Sequence, residues 1–190
     1  MKQLIFVTGN KDKLAIAQRA LRNTDIILAQ KKIRIPEIQS LDVEEIACFS
    51  AGFAAKEVGR AVVVADAGYY IEALGGFPGP FIKYVNQWFN PEDFLRLMEG
   101  KKNRRVVVKG SLAYCEPLKH PVVFKFEAIG AIAKKTGRVI KGGWGNPINR
   151  VFIHNGFEKP ESEILKEKLI ELWAKLETCW QKLADYLAEK

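Results

Sequence analysis

The spacing of apolar residues changes along the chain, and each spacing predicts an element. Residues 3–7 form a short apolar run typical of a β-strand, and from Lys11 onward apolar residues recur at helical spacing. Asp42 precedes a helical pattern over residues 43–58 and is expected to cap it. The β-branched run at 61–65 shows no polar alternation, so it predicts a strand that is buried on both faces.

The second half of the chain continues this alternation and adds a pair of strands. The predicted elements are helices over residues 81–89 and 91–98, paired strands over 105–114 and 122–132, a short strand at 151–153 and a long helix from Ser162 onward. This order predicts an α/β fold with a mixed sheet. We find no repeat or linker and expect one domain over residues 1–190, with a division into two lobes left open.

Composition narrows the class of protein. The 190 residues are 48% hydrophobic and 27% charged, which excludes a disordered or low-complexity chain. The formal net charge of +8 predicts an anionic partner, either a polyanion or a small phosphorylated molecule. No apolar run approaches the roughly 20 residues that cross a bilayer, and no signal peptide is recognisable. Three widely spaced cysteines favour a reduced, cytoplasmic protein.

The first strand-to-helix junction is a candidate phosphate site. Thr8, Gly9 and Asn10 form the turn, and Lys11 and Lys13 follow it. Free backbone N–H groups and the positive end of a helix attract phosphate, and the lysines add formal charge. The spacing is not that of a Walker loop, so a plain turn with solvated lysines stays an equal alternative.

Two carboxylates are candidates for metal chemistry. Asp66 directly follows the predicted strand at 61–65, where ligands collect in α/β sheets, although a turn residue before Gly68 is the alternative. Glu37 stands in the segment 33–38, where Pro36 predicts an edge strand or an extended loop. A magnesium ion held through substrate phosphates needs only one or two carboxylates, so Glu37 and Asp66 would suffice.

Several other features carry weaker signals. The glycine- and proline-rich residues 75–80 precede a helix with Lys83. The segment could let backbone approach a ligand with Lys83 as a phosphate cation, or it could be only a stiff connecting loop. The basic run at 101–105 could meet nucleic acid, but a solvated loop is the commoner use. His120 and His154 have no partner at ligand spacing and are expected at the surface. The leucine stripe of the last helix predicts core packing or a dimer contact.

Five motifs together resemble one family. They are FVTGNKDKL at 6–14, IPEIQ at 35–39, EIA at 45–47, VADAG at 64–68 and ALGGFPGPFIK at 73–83. Their order is similar to that of the Ham1/inosine triphosphate pyrophosphatase family, whose members remove non-standard purine nucleotides. The resemblance is close up to about Tyr84 and covers only the general order of strands and loops beyond it.

The resemblance implies a fold, a reaction and a set of site residues. The implied fold is a mixed, bent sheet flanked by helices around a central cleft, usually in a homodimer. The implied reaction converts ITP, dITP or XTP and water to the monophosphate and pyrophosphate with Mg²⁺. The implied substrate-binding residues are Thr8, Gly9, Asn10, Lys11, Lys13, Lys83, Trp144 and Lys168. Asp66 would be catalytic, and Glu37 and Asp66 would bind the metal.

The departures from the family pattern concern mostly the base. Ala65 replaces the first member of an acidic pair, and the loop around Trp144 lacks its usual aspartate unless Asn149 replaces it. A Ser-His-Arg motif that reads the base is absent, and residues 172–174 stand at that place. We therefore expect a nucleoside triphosphate pyrophosphatase with altered or relaxed specificity. The alternative is an inactive member that binds a nucleotide, a protein partner or, less favoured, a nucleic acid.

Overall fold

The computed structural model, which describes residues 2–190, contains a mixed sheet of seven strands. The strands are β1 (Lys2–Val7), β2 (Ile26–Lys31), β3 (Val62–Ile71), β4 (Pro78–Gly79), β5 (Arg105–Cys115), β6 (Val122–Ile132) and β7 (Phe152–His154). The helices are α1 (Lys11–Ala20), α2 (Val43–Val58), α3 (Ile82–Trp88), α4 (Pro91–Leu97), α5 (Lys166–Leu176) and α6 (Cys179–Ala188). The strand order is β2-β1-β3-β5-β6-β7, with β4 beside β3. The predicted α/β class with a mixed sheet is confirmed, because β1 pairs in parallel with β2 and β3 whereas β6 and β7 are antiparallel.

The chain divides into two compact units. The first unit comprises the chain up to Ala67 together with Gly110–Phe126 and Ile170–Lys190. The second unit comprises Gly68–Lys109 and Glu127–Leu169. Among the described residues, no helix has both the length and the apolar character that a membrane span requires.

The core of the first unit packs α2 against the parallel strands. Ile5 and Val7 of β1 belong to a cluster that includes the alanines of α2 together with Val62 and Val64 of β3. Small alanine side chains let the helix lie close to the strands. As the sequence predicted, Asp42 caps α2 by accepting a hydrogen bond from the Glu44 N–H at 2.8 Å. Phe6 points to the other face of the sheet, where its ring lies 5.1 Å from that of Trp180.

The C-terminal helix is present, but it is shorter than expected and divided in two. It begins at Lys166 rather than at Ser162, and residues 177–178 separate α5 from α6. Trp173, Trp180 and Leu183 are buried, so the stripe on these helices packs into the core of the chain itself. Leu165, which the sequence placed on the same stripe, lies before α5 and is exposed.

In the second unit, β3 and β4 approach each other more closely than side chains allow. A Cβ atom at Gly68 would lie 2.6 Å from the backbone carbon of Gly79. Gly79 itself has a φ of +56°, a conformation that favours glycine. These glycines therefore fix how the 75–80 segment folds back onto β3.

The second unit also buries a polar network that the sequence did not predict. His154 was expected at the surface, but it is buried and its Nε2 lies 2.8 Å from Glu161 Oε1. Glu161 is fully buried and accepts a second hydrogen bond from Asn149 Nδ2 at 2.5 Å. A buried carboxylate needs such partners, and its burial explains why His154 lies inside. Asn149 is thus engaged in holding the protein core.

We expect Gly68→Ala to lower the free energy of unfolding by about 2 kcal/mol, because the new methyl group meets backbone that cannot move aside. Gly52→Ala is the matched control: a Cβ at Gly52 meets nothing within 4 Å. Since glycine is unfavourable inside a helix, that substitution should stabilise the protein by about 0.5–1 kcal/mol. Urea denaturation of both variants measures the two changes in the free energy of unfolding. Equal changes would contradict the prediction.

Glu161→Ala should destabilise the protein by about 3 kcal/mol, because it leaves two buried polar side chains without their carboxylate. Glu163→Ala, in the same 3-10 turn, removes an acceptor of the exposed Arg138 N–H and should cost about 1 kcal/mol or less. Chemical denaturation of both variants provides the measurement. A loss at Glu161 no larger than that at Glu163 would show that the buried network contributes little.

Candidate active site

The turn between β1 and α1 is held by hydrogen bonds of its own side chains. Thr8 Oγ accepts from the backbone N–H of Asn10 at 3.1 Å. Asn10 Oδ1 caps α1 by accepting from the N–H groups of Asp12 at 2.8 Å and Lys13 at 3.2 Å. The cap therefore occupies two backbone N–H groups that the sequence predicted to be free to bind a phosphate.

The same turn is also fixed to β2. The Thr8 N–H donates to Lys31 O at 3.1 Å, and Gln30 Nε2 donates to Thr8 O at 3.0 Å. Gly9 and Lys11 are exposed on this turn. A turn anchored at its side chains and its backbone presents these two residues in one conformation, which is what binding of an extended anion requires.

Lys13 lies beside the predicted catalytic carboxylate. Its Nζ donates to the backbone oxygen of Ala65 at 2.9 Å and lies 3.8 Å from Asp66 Oδ1. The side chains of Lys13 and Asp66 are 35% and 29% exposed, so water still reaches both. The structure thus brings together a cation and a carboxylate that the sequence placed 53 residues apart.

Asp66 occupies a different position in its strand from the one predicted. The sequence predicts a strand at 61–65 that ends before Asp66, but β3 continues through Asp66 to Ile71. The strand pairs with β1 at Val62 and Val63, so Asp66 lies beyond that paired part. Asp66 therefore lies within β3 and still beyond the residues of β3 that pair with β1.

A carboxylate that sequence reasoning missed lies in the same place. Glu177, between α5 and α6, lines a small cavity with Lys13, Asp66 and Ser111. Trp180 Nε1 donates to Glu177 Oε2 at 2.9 Å. Burial raises the pKa of Glu177 to about 7, against the opposing effects of the Trp180 N–H and the Lys13 charge. No local motif marks this residue, because only the packing of the last helices carries it there.

The second predicted metal ligand, Glu37, is exposed in a segment without regular secondary structure. Over residues 2–190, no group of three or more His, Cys, Asp or Glu side chains is arranged to hold a metal ion. A metal at this site would consequently need ligands from the substrate. Carboxylate and phosphate oxygens are the ligands that Mg²⁺ prefers.

Three predicted substrate-binding residues, Lys83, Trp144 and Lys168, lie in the second unit. Lys83 is exposed in the first turn of α3, with its Nζ 5.3 Å from the centroid of the Tyr84 ring. In the same helix, Asn86 Oδ1 accepts from the Ile148 N–H at 3.1 Å, which ties α3 to the segment after Trp144. The indole N–H of Trp144 is buried and has no hydrogen-bond partner among the described residues.

Two C-terminal positions that the resemblance assigns to substrate binding differ in their exposure. Lys168 is exposed on α5. Trp173 stands where the resemblance implies a base-reading motif, and it is only 4% exposed. Its ring packs edge-on against that of Phe126, with 6.3 Å between the ring centroids. That space is filled by an aromatic contact of the core. Gly110 permits it, since a Cβ there would lie 2.0 Å from the Phe126 ring.

The basic run at 101–105 is partly committed to internal contacts. The Arg104 guanidinium donates to the backbone oxygens of Ile132 at 2.7 Å and Ala133 at 2.6 Å. Arg105 pairs with Glu72. Two of the charges that could have met nucleic acid are therefore used to hold the second unit together.

Known proteins resemble this chain over most of its length. The dITP/XTP pyrophosphatase of Methanopyrus kandleri is 36% identical over 162 residues, which cover 85% of this chain and 84% of the relative. The dITP/XTP pyrophosphatase of Methanosarcina mazei is 37% identical over 156 residues, covering 82% of this chain and 83% of the relative. Both alignments extend well beyond the motifs of the first half.

The fold also matches a solved structure. A HAM1 protein from Coxiella burnetii superimposes with a TM-score of 0.79 over the whole of both chains, at 22% sequence identity. The model of the Ham1 family matches residues 4–171. The resemblance that rested on five motifs is thereby confirmed, and this chain belongs to the Ham1 family.

Proposed function

We propose that this protein is a nucleoside triphosphate pyrophosphatase that converts dITP, ITP or XTP and water to the monophosphate and pyrophosphate. The names of its relatives support this activity. The observation that carries it is the pairing of Lys13 with Asp66 at the capped start of α1. Phosphoryl chemistry needs a fixed cation for the phosphate charge and a carboxylate for the water or metal, and this site provides both.

Each residue would have a distinct task. The Thr8–Asn10 turn and Lys11 would bind the triphosphate, and Lys13 would bind it with them by neutralising part of its charge. Asp66 would orient the attacking water and, with Glu37, would hold Mg²⁺. When bound, this ion would supply Lewis-acid stabilisation of the phosphate oxygens. The resemblance also assigns substrate binding to Lys83, Trp144 and Lys168, which belong to the second unit.

The remaining proposals concern the state of the protein in the cell. We infer a cytoplasmic homodimer, because dITP and XTP arise among cytoplasmic nucleotides and because the resemblance implies a dimer. The three cysteines, Cys48, Cys115 and Cys179, are free, which agrees with a reducing compartment.

Asp66→Asn should lower kcat at least about 100-fold, because the neutral amide cannot orient water or hold Mg²⁺ as the carboxylate does. The measurement is pyrophosphate release from ITP, dITP and XTP with Mg²⁺. Glu57→Gln is the control, since this carboxylate is exposed on α2 away from the turn. A wild-type protein that binds these nucleotides but hydrolyses none would identify an inactive member of the family.

Discrimination between purine bases should be modest. The place of the base-reading motif holds the buried Trp173, and apolar contacts separate related substrates by no more than about 200-fold, whereas buried hydrogen bonds reach about 10⁴-fold or more. We therefore expect kcat/KM for ITP to exceed that for ATP by less than about 100-fold. Parallel steady-state kinetics with ITP, XTP, ATP and GTP test this. A ratio of kcat/KM values of about 10⁴ or more would mean that polar residues elsewhere in the chain hydrogen-bond the base.

A further inference from the structure

We propose that Glu177 is a positioning residue of the active site, which holds the Lys13 ammonium in place for the triphosphate. The inference rests on the proposed function, and it assigns a role to a carboxylate that no sequence motif marks. Glu177 acts through Lys13, so it need not touch the substrate.

The geometry of the cavity supports this role. The residues that line it include Lys13, Ala65, Asp66 and, from the C-terminal segment, Glu177. Lys13 already has an acceptor in Ala65 O and a neighbouring charge in Asp66. Glu177 adds a second negative charge around the same ammonium group, and the Lys13 charge acts to lower the pKa of the Glu177 carboxyl against the effect of burial.

The Glu177 side chain is itself held firmly. Trp180 Nε1 donates to Oε2 at 2.9 Å, and Trp180 is 1% exposed with its ring against Phe6. The carboxylate is therefore fixed to the hydrophobic core by a rigid indole. Burying an acid next to a tryptophan costs free energy unless a cation compensates it, and the cation at this cavity is Lys13.

A fixed negative charge near the ammonium group matters for lysine in particular. The lysine side chain has four rotatable bonds, and ordering it upon substrate binding would cost affinity. Side-chain order that exists before the substrate arrives reduces that cost. Loss of Glu177 should thus weaken binding of the triphosphate and leave the chemical step almost unchanged.

The first test measures Glu177→Gln at about pH 8, where the native carboxylate is charged. The glutamine can still accept from Trp180, so the fold is retained. We expect KM for ITP to rise about fivefold with kcat within about twofold, as for a lost ground-state contact. Glu177→Asp keeps the charge and should recover at least half of this loss. A KM that falls would mean that the carboxylate merely repels the triphosphate, and it would overturn the proposal.

The matched control is Glu171→Gln. Glu171 lies on α5 and pairs with Arg19 at 2.9 Å and Arg22 at 3.1 Å, so it also contacts the α1 region, but it does not line the cavity. Its KM and kcat should equal those of the wild type. If Glu171→Gln raises KM as much as Glu177→Gln, the effect comes from a loosened C-terminal segment and the positioning role is wrong.

A double-mutant cycle that combines Glu177→Gln with Lys13→Met tests whether Glu177 acts through Lys13. Glu177→Gln should add nothing to the KM of Lys13→Met if it acts through this lysine. Independent, additive effects on KM would overturn the proposal.

The cycle can also be measured without substrate, which separates this proposal from the proposed function. Without Lys13 the buried carboxylate lacks its cation, so Glu177→Gln should raise Tm at least about 3 °C more in the Lys13→Met background than in the wild type. Equal shifts in both backgrounds would refute the coupling. If the wild type shows no turnover but the Tm cycle gives the expected result, the pyrophosphatase assignment is rejected and the coupling of Glu177 to Lys13 is retained.

Discussion

Parallel pairing of β1 with β3 is the constraint on which the active site depends. Ile5 and Phe6 pair with Val62 and Val63, and both strands run in the same direction. Their following residues therefore reach the same edge of the sheet, which brings the turn into α1 beside the Ala65–Asp66 segment. Alternate side chains of β1 are buried on opposite faces, so a shift of one residue would exchange the environments of Phe6 and its neighbours. The register is thus fixed by packing, and the Lys13 contact to Ala65 O follows from it.

The C-terminal helices show how packing and chemistry share one segment. Trp173 and Trp180 fill the core through Phe126 and Phe6. The break between α5 and α6 leaves Glu177 at the cavity rather than in a continuous helical face. The resemblance places a base-reading motif in this segment, but an aromatic residue locked in the core cannot turn outward without leaving a cavity behind. In our proposal, this segment instead supports phosphate binding through Glu177, which lines the cavity with Lys13.

The sequence predicted features that depend on local patterns and missed those that depend on distant packing. The Asp42 cap and α2 were correct to the residue, because a capping side chain and helical spacing are local signals. The extension of β3 through Asp66 was missed, since polar and small residues hide a strand that neighbours stabilise. His154 was misplaced because its partner Glu161 has no recognisable spacing. Glu177 was missed for the same reason: its environment is created by residues from separate parts of the chain.

A site that is built around the triphosphate has a consequence for selectivity. The phosphate groups are identical in every nucleoside triphosphate, so the proposed interactions with Lys11, Lys13 and the Thr8 turn would bind all of them equally well. Uniform binding of this kind cannot distinguish one base from another. Discrimination has to come from polar groups that face the base, and in the C-terminal segment their place is filled by Trp173. Any preference for dITP or XTP must therefore come from residues outside that segment, and the phosphate site alone would accept a wider range of nucleotides.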